Sequence, residues 1–261
     1  MLQSKKSRAG KVTKLKLLLG LLYCVSFTVT AVAPLRVVTE LSPPHQTLQQ
    51  GEVAGLSTAL VKAVLAEAKL DAKIEIYPWA RSFRIARSQP NVLIYNMART
   101  AERENEFHWI GTVAAYQLGF VALSHRNDIK IEKLQDAKAF TIAVQRDDLS
   151  ANFLINNGFT PGQQLVLSAD ITESWQLLLH GKVDLVIDDP VALADMAANL
   201  KLPEKYIRFV YAVPELAQQT WLAANIQTSP ELVARLKQAH QKVATTELYQ
   251  QIMLSSYHPQ Q

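Results

Sequence analysis

The feature that most restricts how this chain folds is an alternation of strand-like and helix-like segments that runs once, stops at a polar stretch, and begins again. In the first series, Leu35–Thr39 is a short apolar strand. Residues 57–70 carry Leu60, Val61, Val64, Leu65 and Ala68 at helical spacing, with Ser57 as the expected cap and Leu56 and Val61 as a hydrophobic staple. Residues 72–77 alternate as a half-buried strand. Residues 79–87 form a predicted helix, 92–95 an apolar strand and 112–123 a longer extended segment. The second series predicts strands at 140–144, 165–167 and 183–187, helices at 149–157, 172–180 and 191–200, and a strand at 221–225. Gly158 and Gly181 close two of these helices. Ser229-Pro230-Glu231 opens a last one, since a serine cap followed by proline at the first helical position is a start signal. Strands alternating with helices imply parallel sheets covered on both faces. Two series, each too small for a complete dinucleotide-binding domain, predict two α/β lobes.

The amino terminus is of another kind. Lys5, Lys6, Arg8, Lys11, Lys14 and Lys16 precede an uncharged, mostly apolar run from Leu17 to Ala33. That order is expected of a secretory signal peptide spanning 1–33, cleaved after Ala31 or Ala33. An uncleaved anchor is the competing reading, but a spanning helix needs about 20 apolar residues and this run is shorter. Tyr23 before Cys24 argues against a lipid anchor. The net charge of +4 belongs to this leader: it holds six of the 27 basic residues and none of the 23 acidic ones, so residues 34–261 carry −2. Nothing basic remains for a nucleic-acid surface, and the single cysteine, Cys24, leaves with the leader.

The sequence contains no G-x-S-x-G, no phosphate-binding glycine loop and no H-x-x-x-H pair. No catalytic residue, metal site or cofactor is expected. Charged and aromatic residues just after strands are the candidates, because ligands in open α/β sheets bind outside the carboxyl ends of strands. Arg99 and Arg103 flank Thr100, read as the cap of a short helix. A helix amino terminus with a guanidinium suits a carboxylate, while surface pairing with Glu102 or Glu104 is the alternative. Asp188 and Asp189 end an apolar run, where they suit either an ammonium group or the capping of the segment after Pro190. Arg146, Asp147 and Asp148 carry the same two readings. Trp79 is a stacking platform or a core residue.

With these residues in place the chain resembles the type II periplasmic solute-binding proteins of the polar amino-acid uptake class, over nearly all of 34–261. Arg99-Thr100-Ala101-Glu102-Arg103-Glu104 is similar to that family's T-P-E-R turn, and Gly181–Asp188 to its G-R-V-D-A-V-V-x-D strand. The resemblance implies that Arg103 grips an α-carboxylate and that Asp188 or Asp189 takes an α-amino group. It also implies that Tyr77-Pro78-Trp79 and Pro43-Pro44-His45 lie beside the ligand. It further implies two lobes, 34–115 with 219–261 and 116–218, joined by crossovers near 112–119 and 216–221. The expected ligand set is Trp79, Arg99, Arg103, Arg146, Asp147 and Asp188. Three departures stand out, one of them a spacing between Asp188 or Asp189 and Pro190 that is one residue shorter than usual. Asp147-Asp148 replaces the usual Gly-Thr or Gly-Ser, with which a cationic or differently shaped ligand is compatible, and His45 replaces an aromatic residue. The implied activity is capture of a small polar solute in the periplasm, by a monomer, for an ABC-type permease in the inner membrane. The alternatives are a solitary sensing subunit for a membrane receptor, or a dehydratase-like enzyme on the same fold using Asp147 or Asp148.

Overall fold

The computed structural model describes residues 35–203 and 205–254, all within one compact unit, 33–261. The expected signal peptide lies outside the described residues. In chain order the strands are β1 (Leu35–Thr39), β2 (Thr47–Gln49), β3 (Glu52–Ala54), β4 (Ala72–Ile76), β5 (Val92–Ala98), β6 (Phe107–Leu123), β7 (Ile142–Gln145), β8 (Leu165–Ser168), β9 (Leu185–Asp188) and β10 (Ile207–Asn225). The helices are α1 (Leu56–Glu67), α2 (Trp79–Ser88), α3 (Leu149–Asn156), α4 (Ile171–Leu179), α5 (Leu193–Asn199), α6 (Pro230–Val243) and α7 (Glu247–Leu254).

Eight strands pair in the order β4-β1-β5-β10-β6-β9-β7-β8. The flanking triplets, β4-β1-β5 and β9-β7-β8, are parallel. Between them β6 and β10 run antiparallel to each other from Phe107 and Asn225 to Leu123 and Ile207, and each is long enough to serve both triplets. Their register slips between Ala212 and Ala217, so the pair is irregular midway along its length.

Side-chain alternation explains why β5 and β9 read as apolar runs. In β5, Leu93 and Tyr95 join one core with α1 and α6, while Val92 and Ile94 join another with Trp79 and Ala86 of α2. In β9, Leu185 and Ile187 pack with Leu154 and Phe159, while Val186 packs with Trp175 and Leu178 of α4. A strand buried on both faces has no polar face to show.

The cap of α1 differs from the expectation. The helix begins one residue earlier, with Gly55 as the residue before it at φ 107°. A Cβ there would lie 2.5 Å from the His45 carbonyl oxygen, so glycine alone permits the close passage. Ser57 is buried in the first turn and spends its hydroxyl on the Val113 carbonyl at 3.2 Å. The residues after Thr100 also differ: they form successive turns and no helix, with the Arg103 amide on the Thr100 carbonyl at 3.1 Å. The predicted helix 191–200 divides into a 3-10 turn, Pro190–Ala192, and α5. Ser229, Gly158 and Gly181 act as read, the two glycines at φ 78° and 63°.

Candidate functional site

The carboxyl ends of β1, β5, β7 and β9 converge on one cavity of about 80 Å³. On the scale where one water occupies roughly 10–15 Å³ it holds a handful of water-sized positions, suiting a small solute. Glu40, Gln46, Trp79 and Arg103 line it from the β4-β1-β5 side, and Gln145, Asp148, Ser150 and Asp188 from the β9-β7-β8 side. Tyr116 and Leu118 of β6 and Gln218 and Thr220 of β10 complete the wall.

Arg103 is 7% exposed. Its guanidinium lies 4.9 Å from the Phe83 ring centroid and 5.4 Å from that of Trp79. It donates to the carbonyls of Ala98 at 3.3 Å and Asp147 at 3.4 Å. Among the described residues it forms no ion pair. Burial pulls its pKa below the ordinary arginine value, against the opposing charges of Asp148 and Glu102. A buried guanidinium held by aromatic faces and neutral carbonyls keeps donors for an incoming anion. Trp79, 2% exposed, opens α2 and donates its indole N–H to the Asp147 carbonyl at 3.0 Å. Its stacking partner is Phe83, so it is at once a core residue and part of the wall.

Asp188 ends β9 on the other side. Its Oδ2 accepts from the Trp175 indole at 2.8 Å and its Oδ1 from the Asp189 amide at 2.8 Å. Burial nonetheless pushes its carboxyl up to about 7, since a desolvated charge is costly unless fully compensated. Asp189 is different: it caps the Pro190–Ala192 turn through Val191 N at 2.8 Å and holds Gln117 N at 2.9 Å. Of the two adjacent acids, Asp188 faces the cavity.

The other expected ligands are placed elsewhere. Arg99 pairs with Glu104 through two bonds of 2.7 and 2.5 Å and lies over the Trp221 ring at 4.8 Å. Arg146 is exposed, with its backbone amide on Ser168. Asp147 has an exposed side chain and a φ of 59°. That left-handed turn aims its carbonyl at Trp79 and Arg103, so its backbone meets the site and its carboxylate does not. Asp148 caps α3 through Ser150 N at 3.2 Å and lines the cavity. His45 is buried behind the wall, bonded to Ser57 at 3.1 Å and set against Tyr116; burial lowers its pKa to about 4, which keeps it neutral. Tyr77 turns to Glu75 and Arg81.

Sequence reasoning passed over Glu40, Gln46 and Tyr116, while Asn96 and Gln145 open the strand-end segments 96–103 and 145–148 to which it pointed without naming either as a ligand. Glu40 follows β1, the same kind of strand-end position, so placement was the available signal. Asn96 donates to the Tyr116 hydroxyl at 2.8 Å and accepts from Thr220 at 3.2 Å, tying β5, β6 and β10 together at the cavity.

Two parallel triplets joined by two long strands, with one cleft at their carboxyl ends, are the two-lobed type II fold of periplasmic binding proteins. The chain belongs to the bacterial extracellular solute-binding proteins, family 3, whose description matches residues 35–255. No curated protein is matched by sequence. Solved structures share the fold. A histidine kinase sensor domain with similarity to periplasmic binding proteins aligns with a TM-score of 0.73 at 19% identity, covering 84% of this chain and 94% of its own. An ancestral arginine-binding protein bound to arginine aligns with 0.72 at 19%, covering 85% and 96%. The arginine-, lysine-, histidine-binding protein ArtJ from the thermophilic bacterium Geobacillus stearothermophilus aligns with 0.71 at 20%, covering 87% and 97%. Among the described residues no helix is long and apolar enough to cross a membrane, and no cluster of three or more metal-ligating side chains occurs.

Proposed function

We propose that this protein is an exported, monomeric solute-binding protein without catalytic activity. It holds a small amino acid or related polar solute between two lobes, 34–115 with 219–261 and 116–218. The observation that carries this reading is one cavity with a buried, carboxylate-free guanidinium, Arg103, on one side and a buried carboxylate, Asp188, on the other. The pair suits a solute bearing both an anionic and a cationic group: Arg103 takes the carboxylate and Asp188 the ammonium, with Trp79 as an apolar wall. Contacts to both sides give such a ligand higher affinity for the closed cleft, the condition for closure on binding. The arginine-binding neighbours support an amino-acid ligand, and the extracellular family supports a periplasmic location.

Delivery to an ABC-type permease of the inner membrane is the partner reading that a neighbouring amino-acid ABC transporter's binding protein supports. A sensing role, with the closed form read by a membrane receptor, is favoured by the likeness to a kinase sensor domain. The test is a thermal-shift screen of residues 33–261 against amino acids, polyamines, small carboxylates and short peptides. A ligand at 100 times its Kd adds about 2.7 kcal/mol of stability. The expected result is a melting shift with an amino acid that is lost in Arg103→Ala. No shift with any compound bearing both charges would refute the proposal.

A further inference from the structure

The clamp just described uses Arg103 and Asp188 and leaves a second group of polar atoms in the same cavity without a task. Glu40 Oε2, Gln46 Oε1 and Gln145 Oε1 are all buried and none has a hydrogen-bond partner. All three residues line the cavity. Gln46 is fully buried and its amide N–H is spent on Thr39 at 3.2 Å, so the oxygen is what it leaves unpaired. A buried acceptor left unsatisfied costs about 1–3 kcal/mol, and three around one cavity call for a donor-rich group to be supplied. The charges agree. Glu40, Asp148 and Asp188 face a cavity that holds one guanidinium, Arg103, so a zwitterion that occupies Arg103 and Asp188 leaves two acids unanswered.

We propose that Glu40, with the side-chain oxygens of Gln46 and Gln145, forms a second subsite that takes a protonated amine, so that the solute carries a further cationic nitrogen besides its α-ammonium group. A primary ammonium offers three donors, one for each orphaned oxygen. This rests on the amino-acid reading above and narrows it to short diamino acids. The empty subsite is adapted to hold a proton instead. Burial and the nearby negative charges of Asp148, Asp188 and Asp170 raise the Glu40 carboxyl to about 8, while the Gln145 side chain pulls the other way. The groups facing it are thus Asp148 before α3, Asp170 before α4, Asp188 on β9, Tyr116 on β6 and Arg103. An arriving ammonium displaces that proton, and binding near neutral pH releases it to solvent.

The test is calorimetric titration of residues 33–261 with three matched pairs. These are L-2,4-diaminobutyrate and L-2-aminobutyrate, L-ornithine and L-norvaline, and L-lysine and L-norleucine, in two buffers of different ionisation enthalpy at pH 7. We expect at least one diamino acid to bind tenfold or more tighter than its neutral partner, with more protons released than that partner releases. Glu40→Gln should abolish the preference and cut the diamino acid's proton release to the level that its neutral partner shows through Asp188. Gln145→Leu gives a second reading at the same subsite and should narrow the preference in the same direction. Neutral partners that bind as tightly as the amines, with Arg103-dependent affinity and no change in Glu40→Gln, would overturn the subsite and leave the clamp standing. Failure of all six to bind would overturn both.

Discussion

Replacing Trp175 by phenylalanine isolates one bond that sets the charge of the candidate ammonium ligand. The indole N–H of Trp175 donates to Asp188 Oδ2 at 2.8 Å, and the two residues are 0% and 7% exposed. The substitution removes that donor and some ring volume. A neutral hydrogen bond is worth about 0.5–1.5 kcal/mol and one to a charged group about 1.5–3, and the smaller ring adds about 1–2 kcal/mol on the scale of large-to-small core changes. Asp188 titrates near about 7, so it is neutral at pH 5.5 and ionised at pH 8.5. The Trp175 bond holds that pKa down, and its loss raises it further. A carboxyl raised in the folded state withdraws stability as pH climbs from its ordinary 3.8 through its folded value. Trp175→Phe therefore costs about 2–3 kcal/mol at pH 5.5 and about 1 kcal/mol more at pH 8.5. Urea unfolding followed by far-ultraviolet circular dichroism at the two pH values measures this directly. Equal destabilisation at both, or less at pH 8.5, would refute the assignment of Trp175 as the donor that sustains an ionised Asp188.

Other substitutions probe the remaining links. Arg103→Ala should lower affinity for a screened amino acid by at least a hundredfold in calorimetry, in line with about 3 kcal/mol for a buried charged hydrogen-bonding partner, with a cooperative melt retained. Gly111→Ala places a Cβ against the His240 ring, which is fixed by its bond to the Thr112 carbonyl at 2.8 Å; overpacking of this kind costs about 1–3 kcal/mol, read as a lower melting temperature without loss of ligand selectivity. Glu40→Gln should stabilise the ligand-free protein increasingly as pH rises from 4.5 to about 8, levelling off above that, because the wild-type carboxyl must ionise in a buried acidic setting; a melting difference that stays flat between 4.5 and 8 would count against it. For the wild type, affinity for L-ornithine should rise with pH between 6 and 8 more steeply than affinity for L-norvaline, by up to about tenfold per unit for the proton displaced from Glu40.

The elements buried on both faces were legible in the sequence, because β5, β7 and β9 expose no polar face and their apolar runs cannot be mistaken. The long strand β10 was legible only at its end. Residues 207–220 mix Tyr211, Glu215, Gln218 and Gln219 with apolar residues, and their strand state comes from pairing with β6 across more than 80 positions of sequence. Within the site, strand-end placement marked Arg103, Trp79 and Asp188, all of which line the cavity. The same rule marked Arg99, Arg146 and Asp147, whose side chains point elsewhere. Their directions are set by the Glu104 pair and by the left-handed turn at Asp147, features of tertiary geometry that no local pattern encodes. Glu40 and Gln46 escaped notice because an isolated acid or amide after a strand is unremarkable until its neighbours are known to leave it unsatisfied.

The central claim is that a small solute is held between Arg103 and Asp188, and the most direct measurement is a crystal structure of residues 33–261 with the strongest hit of the thermal screen. The account predicts the solute inside the cavity, its carboxylate on the Arg103 guanidinium and its ammonium group on Asp188. A solute bound elsewhere, or one inside the cavity that touches neither residue, would contradict it.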